Sequence, residues 1–237
     1  MQQGIAARVA AQDWAALAAT LDAHGAAATG PLLTPDECQG LRALWPEAAG
    51  FRSHVIMARH GFGRGEYQYF AHPLPPAVAA LRQALYPRLA VLANAWAAAF
   101  GESRRFPAEH DAFLATCHAA GQLKPTPLLL RYGPGDWNAL HQDLYGEQVF
   151  PLQVAILLSE PGREFQGGEF VLTEQRPRMQ SRAEVVPLRQ GQGVVFAVNR
   201  RPVPGARGTY GVTLRHGVSR LHAGERFTLG IIFHDAA

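Results

Sequence analysis

Lysine is nearly missing from this chain: Lys124 stands alone among 22 basic residues, and the other 21 are arginine. With alanine abundant as well, that imbalance reads as a bias of nucleotide composition, so arginine number alone is a weak sign of a polyanionic partner. Cysteine is scarce too. Cys38 and Cys117 have neither the number for a disulfide framework nor the spacing of a metal knuckle, and they read as reduced thiols of a cytoplasmic protein. No apolar run approaches the roughly 20 residues that a bilayer-spanning helix needs. The first residues hold no basic segment followed by an apolar core, so neither a membrane span nor a secretory leader is expected. No recognition helix and no aromatic sheet motif stand out, which argues against a plain nucleic-acid-binding module.

What is present is ample material for a core. A chain of 237 residues that is 48% hydrophobic can fold as one domain, here expected to span 1–237. Helical support fills 1–120. A helix is expected from Ile5 to His24, with Val9, Trp14, Leu17 and Leu21 near one face and Gly25 as its stop. Thr34-Pro-Asp-Glu37 is a capping box with proline at the first helical position, opening a helix that ends near Trp45-Pro46. Residues 51–57 alternate as a strand, and 59–70 form a glycine-rich loop carrying Arg59, His60, Arg64, Tyr67 and Tyr69. That loop, over 58–70, is expected to act as a lid whose aromatic and basic groups clamp a substrate. Pro75-Pro76 opens a helix to about Phe100, and 107–120 form another with Phe113, Leu114 and Cys117 inward.

The period then changes. Strands are expected at 128–132, 150–158, 169–172, 183–188, 193–198, 211–216 and 226–233, separated by turns such as Gly167-Gly168 and 190–193. Short strands at this spacing build an antiparallel sandwich or barrel across 125–235, so the fold class is α+β with a mainly β core. One basic stretch lies within it. Residues 176–207 hold Arg176, Arg178, Arg182, Arg189, Arg200, Arg201 and Arg207 against the single acid Glu184, which makes either a solvated loop or a phosphate-binding rim.

Chemistry concentrates in two places. His141-Gln-Asp143 follows the strand 128–132, and near the C-terminus stand Arg-His216 and Glu-Arg226-Phe-Thr228. His and Asp two apart project to one side of an extended segment, so one strand end delivers both. Two imidazoles and a carboxylate bind one face of Fe(II) and leave three positions open. Arg226 can close a bidentate salt bridge on the far carboxylate of 2-oxoglutarate, and Thr228, two along, points the same way with a hydroxyl. This is the set that a non-haem iron oxygenase using 2-oxoglutarate and O2 requires. Gln153 is a further pocket candidate, and Asp136, Trp137 and Asn138 precede the ligands.

The same residues carry a resemblance. Thr126-Pro-Leu-Leu-Leu-Arg-Tyr-Gly-Pro-Gly-Asp-Trp137 with His-Gln-Asp, then Gly167-Gly-Glu-Phe170, Arg215-His-Gly-Val-Ser-Arg-Leu221 and Gly224-Glu-Arg-Phe-Thr-Leu-Gly-Ile-Ile-Phe233, resemble the 2-oxoglutarate/Fe(II) oxygenases of the prolyl-hydroxylase-like branch. More narrowly they resemble a bacterial family of oxygenases acting on damaged nucleic acid. The resemblance covers 125–235 well and the first hundred residues loosely. It implies a double-stranded β-helix (jelly-roll, cupin-like) with N-terminal and backing helices, and Tyr132 as a pocket tyrosine. It favours His216 as distal ligand, because nine residues then separate it from Arg226, whereas His222 leaves three and His234 follows the arginine. His24, His54, His60, His72, His110 and His118 lack ligand spacing to an acid and read as surface or core groups.

The implied reaction converts 2-oxoglutarate and O2 to succinate and CO2 while a C–H bond is hydroxylated; on an N-methyl group of a base this releases formaldehyde. Alkylated or single-stranded nucleic acid is the favoured substrate, held by Arg59, Arg64, Tyr67, Tyr69, Arg200 and Arg201. The alternatives are a peptidyl or free amino acid, a small metabolite, or a metal-binding β-barrel without catalysis.

Overall fold

The computed structural model describes residues 3–144, 146–206 and 208–237; Arg207 of the basic stretch lies outside them. The chain opens with two helices, α1 (Ile5–Ala10) and α2 (Trp14–His24), where one continuous helix is expected. The break has a local cause: the Asp13 carboxylate accepts the Ala16 N–H and starts a second helix there. Val9, Leu17 and Leu21 are buried as the periodicity requires, and Gly25 closes α2 in the left-handed conformation. β1 (Ala26–Pro31) leads to α3 (Pro35–Ala43), whose capping box is complete: Thr34 Oγ1 accepts the Glu37 N–H while Glu37 accepts the Thr34 N–H.

The stretch 59–70 is mostly not a loop. After β2 (Phe51–Ile56) come β3 (Gly63–Arg64) and β4 (Glu66–Phe70), and β4 pairs with β2 along its length. Tyr67 and Tyr69 thus lie on a paired strand, and in the stretch expected to form a lid over 58–70 the residues outside β3 and β4 are 58–62 and Gly65. Two helices follow, α4 (Pro76–Ala99) and the shorter α5 (His110–Ala119), which begins three residues later than the pattern suggests. Phe113 and Cys117 of α5 are buried. No described helix is long and apolar enough to cross a membrane.

The remaining strands are β5 (Leu128–Tyr132), β6 (Trp137–His141), β7 (Leu152–Leu157), β8 (Phe165–Gly167), β9 (Phe170–Gln175), β10 (Arg182–Val186), β11 (Gln192–Ala197), β12 (Arg200–Gly205), β13 (Gly208–Val218), β14 (Leu221–Gly224) and β15 (Arg226–Ile231). They are antiparallel throughout. One sheet runs β1-β11-β7-β15-β5-β4-β2; the other runs β10-β9-β13-β6-β3, with β12 paired to β13, and β14 pairs with β8. The fold is thus a mixed α and β structure with mostly antiparallel sheets. Buried side chains from both sheets meet between them, as where Phe170 of β9 lies 5.0 Å from Phe196 of β11. α4 fastens the chain end: Arg82 donates to the Ile232 carbonyl at 2.8 Å and pairs with the buried Asp235 at 2.7 Å.

Candidate active site

The two sheets enclose a cavity of about 380 Å³. Alternation aims the walls. Leu128, Leu130 and Tyr132 of β5, Arg226, Thr228 and Gly230 of β15, and Gln153 of β7 all line it from the larger sheet. Register explains why these meet: Arg226 lies opposite Tyr132, Thr228 opposite Leu130 and Gly230 opposite Leu128. Leu130 and Leu128 in turn face Tyr67 and Tyr69 on β4.

The smaller sheet supplies the three metal-competent groups. His216 on β13 is the direct cross-strand partner of His141 at the end of β6, and Asp143 follows just past that strand. His141 Nε2 lies 3.5 Å from Asp143 Oδ1, and His216 Nε2 lies 3.4 Å from Asp143 Oδ2. One ligand atom from each of the three sits within 4.8 Å of the others. Gly217 allows this closeness, because a Cβ there would come within 2.7 Å of the Asn138 carbonyl oxygen on β6.

Protonation suits a cation. His141 Nδ1 is 2.7 Å from the Ala139 carbonyl, which only accepts, so Nδ1 carries a proton and Nε2 is the nitrogen turned towards Asp143. Burial holds His216 below the ordinary histidine value, against the opposing pull of the Asp143 carboxylate, so its ring is neutral near pH 7. Two imidazole nitrogens and a carboxylate around one point fit a divalent iron.

Arg226 is 3% exposed, and burial lowers its pKa from the usual arginine range. Its Nη1 donates to Thr228 Oγ1 at 2.6 Å and its guanidinium lies 5.6 Å from the Tyr132 ring centroid. Among the described residues no carboxylate lies within ion-pair distance of it, and its Nε is buried without a partner. The Gln153 amide nitrogen is likewise buried and unpartnered. The Glu169 carboxylate acts on Arg226 only from beyond ion-pair distance, so a buried guanidinium with an unpartnered Nε fits a bound carboxylate. Burial also pushes the Tyr132 phenol up, so it stays protonated and able to donate.

The expected substrate arginines separate from this site. Arg201 is 2% exposed and holds Glu174 at 2.5 Å and the Asp22 carbonyl at 2.6 Å, so it is a structural cation and no part of a phosphate rim. Arg176 at 2.7 Å and Arg182 at 3.6 Å converge on the same Glu174. Arg200 pairs with Glu102 and stacks on Phe100 away from the cavity. Arg59 and Arg64 are exposed and do not line the cavity; Arg64 sits 3.8 Å from Asp136. Tyr67 and Tyr69 do line it. His222 is exposed on β14, whereas His234 is fully buried and accepts the Phe150 N–H at Nδ1.

Phe62, Leu140, Phe170 and Phe196 also line the cavity and carry no chemical signature in the sequence. Period-two alternation alone identifies Leu128 and Leu130 with Tyr132 as one face; nothing local marks Phe62.

Residues 65–236 match the family model of Oxygenase-NA, described as an oxygenase catalysing oxidative methylation of damaged DNA. The chain belongs to the Oxygenase-NA family. An uncharacterized Mycobacterium tuberculosis protein, in strain H37Rv and equally in CDC 1551, is 53% identical over 168 residues, which are 71% of this chain and 72% of the relative. Among solved structures, a Pseudomonas putida prolyl-4-hydroxylase aligns with a TM-score of 0.55 and 18% identity over 94% of this chain and all of its own. A 2OG-Fe(II) oxygenase family oxidoreductase from Burkholderia pseudomallei aligns with a TM-score of 0.55 and 19% identity, covering 94% and 93% of the two chains. At such identities the likeness is one of fold. By family this Oxygenase-NA member is an oxygenase, and it shares the fold of those 2OG-Fe(II) enzymes.

Proposed function

We propose that the enzyme couples oxidative decarboxylation of 2-oxoglutarate to hydroxylation of a C–H bond on an alkylated nucleic-acid base, inside a double-stranded β-helix formed by the two facing sheets. In this reading His141, Asp143 and His216 hold Fe(II). Arg226 and Thr228 hold the far carboxylate of 2-oxoglutarate, with Tyr132 opposite Arg226 and Gln153 further along the cavity wall. The observation that carries the reading is Arg226. A wholly buried guanidinium is costly without a counter-charge, and this one lies across the cavity from three converging metal-competent groups.

With iron bound, the centre lets O2 react with the 2-oxo acid, giving succinate, CO2 and one oxygen atom for the substrate carbon. The protein's own part is placement. The fork of Arg226 fixes the co-substrate's orientation, and the Leu128 and Leu130 walls keep water from the reacting atoms. Oxygen inserted into an N-methyl group leaves an N-hydroxymethyl, which loses formaldehyde; the methyl group is removed.

The base assignment is supported by the family and by the mouth. Phe62, 48% exposed, and Leu140, 47% exposed, stand at the cavity's open side with Tyr67 and Tyr69 within. Such a rim suits a planar base taken out of its stack. In this reading the exposed Arg59 and Arg64, near Phe62 in the chain, meet the adjoining phosphates. Both cysteines are buried free thiols, which supports a reducing, cytoplasmic compartment. The test is succinate release over a panel of alkylated DNA and RNA oligonucleotides, peptides and free amino acids. Stimulation by an alkylated oligonucleotide is expected; stimulation only by a peptide or free amino acid overturns the base assignment and leaves the oxygenase chemistry standing.

A further inference from the structure

We infer that Gln142 is a positioning residue, fixing Asp143 against the strand that carries His216; this rests on the proposed iron site. His141, Gln142 and Asp143 all border the cavity, and the Gln142 amide reaches from its edge to β13. Its Nε2 donates to the Leu214 carbonyl at 2.8 Å and to Asn199 Oδ1 at 2.9 Å. Leu214 lies two residues before His216 on β13, and its own N–H donates to the Asn199 carbonyl at 2.6 Å. One amide thus joins the turn bearing two proposed ligands to the strand bearing the third.

The tether matters because regular structure stops at His141. His141 is held by its ladder pairing with His216, whereas Asp143 lies beyond β6 on irregular backbone. The residue between the two proposed ligands thus has its own structural task. Groups that orient metal ligands typically change metal affinity 10–100-fold when removed.

The experiment is anaerobic Fe(II) titration of metal-free enzyme, with thermal unfolding measured on the same samples. Gln142→Ala is expected to weaken Fe(II) binding about 10-fold or more while the melting temperature moves by only a few degrees. At saturating Fe(II), kcat should recover and the KM for 2-oxoglutarate should stay at the wild-type value, a split that general loosening would not produce. Asn199→Ala, which removes an acceptor at a partly exposed turn, should weaken Fe(II) in the same direction, and the double variant should cost no more than the worse single one. Fe(II) affinity within twofold of wild type in Gln142→Ala, or a loss that appears only together with unfolding, overturns the inference. His141→Ala serves as the reference: if it too binds Fe(II) normally, the proposed metal centre is what fails.

Discussion

His141 and His216 are direct partners across β6 and β13, with ring centroids 4.2 Å apart. Residues 75 positions apart in the chain are thereby brought to one point by a single ladder pairing. His141→Ala or His216→Ala should abolish 2-oxoglutarate turnover while leaving the far-ultraviolet circular dichroism unchanged. His222→Ala should retain it, since His222 is exposed on β14. A dead His222→Ala beside an active His216→Ala would show that the distal ligand is misassigned.

Arg226 sets a graded prediction. Arg226→Lys keeps a charge without the fork, and Arg226→Ala loses both, so the KM for 2-oxoglutarate should rise in that order. Cutting away one partner of a buried charged hydrogen bond costs roughly 2–5 kcal/mol, equivalent to about 30-fold or more in affinity. Unchanged KM values in both variants would sink the assignment.

Two neighbouring arginines should behave differently. Arg201→Ala removes the buried charged hydrogen bond to Glu174, which keeps Arg176 and Arg182, and should destabilise the fold by about 1.5–3 kcal/mol. Arg200→Ala removes a half-exposed pair with Glu102 and should cost at most about 1 kcal/mol. Urea unfolding midpoints decide between this and a shared role in substrate binding, which would instead give two stable variants with weakened oligonucleotide affinity.

Acid sensitivity follows from two core histidines. Burial lowers both His110 and His234 from the ordinary value to about 4. Each is neutral in the folded protein while the unfolded chain takes up a proton near pH 6.5. Their contribution is therefore complete above the unfolded value and is lost as pH falls from about 6.5 towards 4, with a slope of up to about 1.4 kcal/mol per pH unit for each. Melting temperatures followed from pH 7 to pH 4.5 should fall, and the fall should be shallower in His110→Phe. An equal slope in that variant would remove His110 from the account.

Phe62 tests the mouth. Phe62→Ala should raise the KM for an alkylated oligonucleotide by the equivalent of about 1–3 kcal/mol of stacking, with the KM for 2-oxoglutarate unchanged. Equal oligonucleotide KM values for the two proteins would remove base stacking at this position.

Most of the chemistry was legible because it resides in residue type and short spacing: His141, Asp143, Arg226 and Thr228 each belong to a pair two residues apart. The longer strands were legible for a related reason, since β5, β7 and β11 hold short apolar runs and β15 alternates. Strands such as β3, with two residues, and β8, with three, are too short to show a period. They exist because neighbours offer them hydrogen bonds. The basic stretch misleads for a different reason. Charge counted along 176–207 omits Glu174, two residues upstream, and Glu102, far away in sequence, yet these are the acids that Arg201 and Arg200 meet in space. Gln142 was invisible because its partners, Asn199 and Leu214, lie 57 and 72 residues on.

The division of the site between sheets has a consequence for evolution and for design. Two of the proposed iron ligands sit on β6 and β13, the third just past β6, and the proposed co-substrate anchor on β15 of the other sheet, so hydrophobic filling sets the spacing of the two sheets. Phe196, whose ring is 4.5 Å from that of His216 and 5.0 Å from that of Phe170, acts as a spacer between the two halves. A smaller residue there changes the gauge of the enzyme without touching any polar group.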